Sequence, residues 1–297
     1  MITALLWWVW LAAGLFVVGC AWRALKYIRA PDHVRWDLYP VAHEPNKHGG
    51  SYLEQKDWWT KPREKSHWGE ASFMIEEIFL LKGVRLNHKK LWWGSLPFHW
   101  GLYLLVITSF GLLVAGLGFA PPWWLGLIAL IGAVGGVLTT LGALVLLVLR
   151  SREARLRHYT TPADRLNLAL LVVLGGLCAA VAIVPGGMAQ AATATGQLLR
   201  LRTPDVSLLL GLQMSLAGLF IFYLPFTRMV HFFSKYFTYH QVRWDDRPVE
   251  PGSALEKRLR GALDFGVDWS AEHISSTGST WAEVATTLPD QEKKDGA

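Results

Sequence analysis

The sequence predicts an all-α membrane protein: a five-transmembrane-helix bundle with a long cytoplasmic loop after helix 1 and a cytoplasmic C-terminal tail. Three observations carry this reading. Of the 297 residues, 52% are hydrophobic, and they gather into long runs rather than amphipathic stripes. Five of those runs reach the roughly twenty residues needed to cross a hydrocarbon core. Lys and Arg cluster in alternate connections, as basic residues retained in the cytoplasm do.

The expected spans are residues 2–20, 97–119, 123–149, 166–187 and 207–232. The first lacks a basic leading region, and no small-x-small cleavage site precedes the charges from Arg23, so it reads as a retained span. The segments after span one (Arg23, Lys26, Arg29, Arg35), span three (Arg150, Arg152, Arg155, Arg157) and span five (Lys235, Arg243) are basic and are expected inside. The opposite side receives the tight Ala120–Pro121–Pro122 turn and a short loop around residues 188–205, where Arg200 and Arg202 run against the rule. The N-terminus is therefore expected outside and the C-terminus in the cytoplasm of a bacterial or archaeal inner membrane. The net charge of +6 follows from this retention and from anionic lipid, so nucleic acid is not an expected partner.

The connection between spans one and two is too long to be a mere link. Its stretch Glu70 to Val84 places Phe73, Ile75, Ile78, Phe79 and Leu81 along one side of a helix, with Glu76, Glu77 and Lys82 on a more polar side. This reads as a helix at or near the membrane surface, either covering the cytoplasmic end of the bundle or docking a partner. It lies ahead of a basic turn, His88–Lys89–Lys90. In the tail after Phe233, Asp245–Asp246–Arg247–Pro248 reads as a turn and Ser253–Ala254–Leu255–Glu256 opens a short amphipathic helix. Trp269, Ile274, Trp281 and Val284 are scattered among polar residues, the composition of an arm that orders on a partner or stays disordered without one. The two cysteines, Cys20 and Cys178, lie in apolar runs with no CxxC spacing, so an iron–sulfur centre would have to come from another subunit.

Ten histidines are present, and only His99, near the start of span two, and His231, near the end of span five, fall in spans. Span two runs outward and span five inward, so both imidazoles are expected at the same cytoplasmic depth. Two such imidazoles on different helices can ligate a six-coordinate haem b, one on each face; each can also sit at the interface, bonded to water or a carbonyl. Arg228 lies three residues before His231, on the expected same helical face. Burying an arginine costs about 2.5–3.5 kcal/mol unless it meets an anion. A haem propionate is such an anion, and snorkelling to lipid phosphate is the other outlet. Gly101, Gly111 and Gly116 offer small faces to a macrocycle or to a neighbouring helix, whereas Gly132, Gly135 and Gly136 read as helix packing.

Phe98–His99–Trp100–Gly101 opening span two and Pro225–Phe226–Thr227–Arg228–Met229–Val230–His231 closing span five resemble the gamma-type cytochrome b subunits of respiratory nitrate reductases and their relatives in heterodisulfide-reductase-like and sulfite-reduction complexes. The resemblance covers roughly residues 95–235. The tail run at 239–246 looks more like the heterodisulfide-type and sulfur-related members. The resemblance implies a cytochrome that exchanges electrons between the quinone pool, with quinone as diffusible substrate, and a cytoplasmic iron–sulfur electron-transfer subunit. Further membrane and extracytoplasmic subunits are compatible with it. The nitrate-reductase relatives carry a second histidine pair for an outer haem, and here those positions hold Ser109 and Gln213. One haem b is therefore expected, with His99 and His231 as axial ligands and Arg228 near a propionate.

On this reading the chain divides into transmembrane helix 1 (1–22), a cytoplasmic loop with a surface helix (23–95), a four-helix haem-binding core (96–233) and a cytoplasmic partner-docking tail (234–297). A quinone site would lie near the haem; Trp92, Trp93 and Tyr103 are candidates for it or else interfacial belt residues. Gln213 either bonds across helices or holds a water. Two rival functions remain. One is a structural membrane anchor for a cytoplasmic redox enzyme; the other is a transporter, disfavoured because the spans lack paired broken helices and midplane charges.

Overall fold

The computed structural model describes residues 2–30, 65–244, 249–268 and 278–286. The described residues are helical apart from short connections and one isolated antiparallel bridge between Gly266 and Thr280. In chain order the helices are α1 (Ile2–Ile28), α2 (His67–Phe79), α3 (Lys82–Asn87), α4 (Lys89–Gly116), α5 (Trp124–Arg152) and α6 (Ala154–His158). They continue with α7 (Pro162–Ile183), α8 (Gly187–Leu199), α9 (Leu208–Tyr223), α10 (His231–Thr238), α11 (Ala254–Leu263) and α12 (Trp281–Thr286). Five of these helical segments are long and apolar enough to cross a membrane: Ala4–Ile28, α4, α5, α7 and Leu208–Phe226. This is the all-α, five-span architecture read from the sequence.

The chain forms two compact units. One comprises residues 1–20 and 71–229, the other residues 21–70 and 230–297. In the first unit the packing is governed by small residues. Between helices in lipid there is no water to expel, so association depends on close van der Waals contact. A methyl at Gly101 would stand 2.4 Å from the Thr139 backbone nitrogen, and one at Gly142 would stand 2.7 Å from the Phe98 Cα, so α4 and α5 meet backbone to backbone. Gly136 does the same to α7, where a methyl would lie 2.6 Å from the Ala179 nitrogen. A methyl at Gly116 would lie 2.8 Å from the Gly196 nitrogen of α8, and Gly218 of α9 receives the Trp8 indole, with Nε1 at 2.5 Å from a would-be Cβ. Trp8 Nε1 also donates to the Ser215 carbonyl at 3.1 Å, which ties α1 to α9. Phe98, Ala143, Leu146, Leu168, Leu171 and Leu174 form the core at this level.

Several expectations are corrected. The loop expected at 188–205 is largely helix α8, whose Ala- and Gly-rich sequence lets it lie against α4. Arg200, an exception to the charge rule, donates from Nη1 to the Gly196 and Gly116 carbonyls at 2.9 and 3.2 Å, so its charge closes two helix ends. The basic turn His88–Lys89–Lys90 is the first turn of α4: His88 is its N-cap, accepting from the Leu91 amide through Nδ1 at 3.1 Å. Span four starts earlier than its apolar run, because Thr161 and Asp164 make a reciprocal capping box with Pro162 in the first turn.

The surface helix also differs. It breaks at Leu81, which is buried with φ +49°, and Glu77 rather than the apolar row turns inward. The Glu77 carboxylate accepts from the Gly83 amide at 2.9 Å across the break. Ile75, Ile78 and Phe79 are exposed. An apolar face turned outward suits a helix in the membrane interface, where lipid rather than protein covers it.

In the second unit Tyr27 stacks on Phe237 with ring centroids 5.5 Å apart, and Arg258 donates to the Ala30 carbonyl at 3.1 Å. Ser253 caps α11 as expected, accepting from the Glu256 amide at 3.1 Å. Trp281 begins α12, and its amide donates to the Phe265 carbonyl at 3.0 Å. The turn expected at 245–248, and Trp269 and Ile274, lie outside the described residues.

Candidate functional site

His99 sits on α4 between Phe98, which is buried against α5, and Trp100. Phe98 and Gly101 are committed to α5, and at 100° per residue this turns His99 to a neighbouring face. Its Nδ1 lies 2.7 Å from the Ser95 carbonyl one turn earlier. A carbonyl only accepts, so this bond puts a proton on Nδ1, and in the neutral ring the lone pair is then on Nε2. That is the tautomer an iron-ligating imidazole needs, and the carbonyl also fixes the ring's orientation. The donor chemistry at His99 therefore fits an axial haem ligand. The Ser95 partner was missed at the sequence level, although its position four residues earlier on the same face was a usable signal.

The aromatic residues around His99 have structural employment. Tyr103 Oη donates to the Ile78 carbonyl at 2.9 Å, Trp100 Nε1 to Phe79 at 3.1 Å and Trp92 Nε1 to Leu80 at 2.7 Å. Three successive carbonyls at the end of α2, which have no helical partner of their own, are thus capped by side chains of α4. Tyr103 lies 6.4 Å from His99 between ring centroids. Trp92 and Tyr103, named as quinone-site or belt candidates, are helix caps in this fold.

The motif at the end of span five is not one continuous helix. α9 stops at Tyr223, Leu224–Phe226 and Arg228–Val230 are 3-10 turns, and Thr227 between them is extended at φ −107°, ψ 173°. Pro225 lacks the amide that would continue the ladder. Buried Thr227 stabilises the break, its hydroxyl donating to the Leu224 carbonyl at 2.9 Å and accepting from the Met229 amide at 3.1 Å. Arg228 therefore precedes His231 on a 3-10 turn and not along an α-helical face. His231 is exposed at the N-terminus of α10. His99 and Arg228 belong to the first unit and His231 to the second. Arg228, exposed, acts electrostatically on Asp164 together with Arg150, so its charge already has a carboxylate neighbour.

At the two outer positions the side chains are engaged by protein. Ser109 donates to the Leu105 carbonyl at 2.9 Å within α4, and Gln213 Nε2 donates across helices to Cys178 Sγ at 3.5 Å. Gly101, Gly111 and Gly116 prove to be helix-packing positions: methyls there would meet Thr139, Ile128 and Gly196 at 2.4 to 2.8 Å. Gly132, Gly135 and Gly136 pack helices, as expected. In the second unit His240 stacks on Tyr236 at 4.1 Å, with Nε2 2.7 Å from Glu70 Oε1 and Nδ1 2.7 Å from the Tyr236 carbonyl.

Residues 84–245 match the family model described as nitrate reductase gamma subunit. The chain is 31% identical over 182 residues to the nitrate reductase gamma chain of Bacillus subtilis (strain 168), an alignment covering 54% of this chain and 82% of that protein. The family model spans more than half of the chain, both helices that carry the His99 and His231 motifs among it, and the chain belongs to the nitrate reductase gamma subunit family of membrane cytochrome b electron-transfer subunits.

Proposed function

We propose that this chain exchanges electrons between the quinone pool and a cytoplasmic iron–sulfur subunit, with His99 and His231 as axial ligands of a single haem b. The observation that carries the reading is the Nδ1 bond of His99 to the Ser95 carbonyl, which favours the ligating tautomer within the stretch that the family model matches. Bound haem b supplies a reversible one-electron couple, and the protein tunes it through ligand, hydrogen bonding and burial. His99 would hold the iron through Nε2, while the Ser95 carbonyl sets the ring's rotation and raises its basicity. Arg228 would pair with a propionate, the bidentate fork matching a carboxylate.

The one-haem reading is supported by Ser109 and Gln213, neither a usual iron ligand and both spent in protein hydrogen bonds. The quinone site would then lie in the inner half of the bundle, since an outer-face site would be separated from it by much of about 30 Å of hydrocarbon. The arrangement of basic connections supports an N-out, C-in orientation in the inner membrane. On that orientation the 23–95 loop and the 234–297 tail face the partner, and 96–233 is the haem-binding core. The 239–246 run resembles the heterodisulfide-type and sulfur-related members of the family.

The test is a reduced-minus-oxidised absorption spectrum with haem quantified per chain, for the native protein, His99→Ala and His231→Ala. About one b-type haem, lost in both variants, is the expected result. Two haems would overturn the single-haem assignment, and none would leave a structural anchor.

A further inference from the structure

We propose that the pocket enclosed by α2, α3 and the first turn of α4 binds the headgroup of an anionic phospholipid whose acyl chains lie along the exposed apolar face of α2. The pocket has a volume of about 620 Å³ and is lined by Glu76, Leu80, Lys82, Arg85, Leu86 and Lys89. Glu76 is paired with Lys82. Among the described residues no carboxylate pairs with Arg85 or Lys89, so the lining carries a net positive charge. Arg85 is placed over the Trp92 ring, 5.5 Å from its centroid, a contact that uses the cation's field and not its N–H donors. Trp92 is itself anchored to the Leu80 carbonyl, so the guanidinium has a fixed platform.

The apolar part of the pocket decides between a lipid and a soluble anion. Leu80 and Leu86 are 47% and 75% exposed at its lip, and Ile75, Ile78 and Phe79 continue the exposed apolar surface along α2. A free phosphate would gain from the cations and nothing from these side chains. A phospholipid gains from both, because an interfacial helix with cations beside its apolar face matches the boundary between headgroup and hydrocarbon. α4 is long and apolar enough to cross the membrane and begins at Lys89, which sets the pocket at that boundary.

Full-length protein in neutral detergent is titrated with dioleoylphosphatidylglycerol, with phosphatidylcholine and inorganic phosphate as comparators, and adducts per chain are counted by native mass spectrometry. The native chain should hold phosphatidylglycerol saturably, prefer it over phosphatidylcholine and keep it in millimolar phosphate. The Arg85→Gln/Lys89→Gln variant should bind roughly tenfold or more weakly. Unchanged affinity in that variant, no preference over phosphatidylcholine, or displacement by phosphate overturns the proposal. Leu86→Ser alters one exposed side chain and should weaken phosphatidylglycerol severalfold. If the double variant fails to fold, unaltered binding by Leu86→Ser overturns the proposal equally.

Discussion

Gly101 lies directly against Thr139: a methyl on Gly101 would stand 2.4 Å from the Thr139 backbone nitrogen and 2.5 Å from its Oγ1. Thr139 is wholly buried, so neither backbone can retreat without opening the α4–α5 seam. That seam also carries Phe98 and therefore sets the rotation of α4 that directs His99.

Gly101→Ala is expected to destabilise the folded protein by about 1–3 kcal/mol, the usual cost of overpacking. Gly142→Ala, with its methyl 2.7 Å from Phe98 Cα, should behave alike. Gly14→Ala and Gly126→Ala meet nothing within 4 Å and should be neutral or stabilising by about 0.5–1 kcal/mol, through helix propensity alone. Thermal midpoints in one detergent separate the two pairs; equal behaviour would refute packing as the role of Gly101.

Thr227→Val removes the hydroxyl that closes the break before His231 while keeping side-chain volume. With two bonds lost at a buried site, a destabilisation of about 1–3 kcal/mol is expected. Haem content per chain should fall along with the thermal midpoint, since the same break sets where α10 begins. Full haem retention in a destabilised variant would separate the turn from the proposed site.

Removing the Arg228 charge should favour the oxidised, more positive form of a nearby haem. Arg228→Gln is expected to lower the midpoint potential by roughly tens of millivolts, and Arg228→Lys to recover most of it. Redox titration followed at the α-band reads this directly. An unshifted potential would leave Asp164 as the residue Arg228 serves.

The pH response of α11 follows from one carboxylate. The Arg260 side chain, and after it the Gly252 amide, hold the Glu256 carboxyl below its ordinary range, and the same contact pushes Arg260 up. A depressed carboxyl contributes stability that is present above its unfolded value and lost as pH falls through the folded one. Protection factors for amide exchange in 254–263 should therefore fall on acidification below the ordinary carboxylate value of about 4.3. Glu256→Gln should exchange faster at neutral pH and show no such acid step.

The membrane-crossing helices, their order and the cap at Ser253 were legible in the sequence, because apolar run length and capping chemistry are local properties. The motifs around His99 and His231 were legible too, whereas Gln213 read as bonding across helices or holding a water until its contact with Cys178 was seen. What a linear pattern cannot hold is which face meets which neighbour. α8 reads as a loop until its Gly196 is seen against Gly116. Glu77 reads as a solvated charge until the αL turn at Leu81 brings the Gly83 amide to it. Gly101, Gly111 and Gly116 read equally as a cofactor face or a helix seam, and only contacts with Thr139, Ile128 and Gly196 decide for the seam. The sequence by itself determined that five helices are long and apolar enough to span and that two imidazoles mark the candidate site. The folded structure decided that His99 Nδ1 meets the Ser95 carbonyl and that the chain breaks at Thr227, because both depend on where backbone hydrogen-bonding groups stand once the helices have formed.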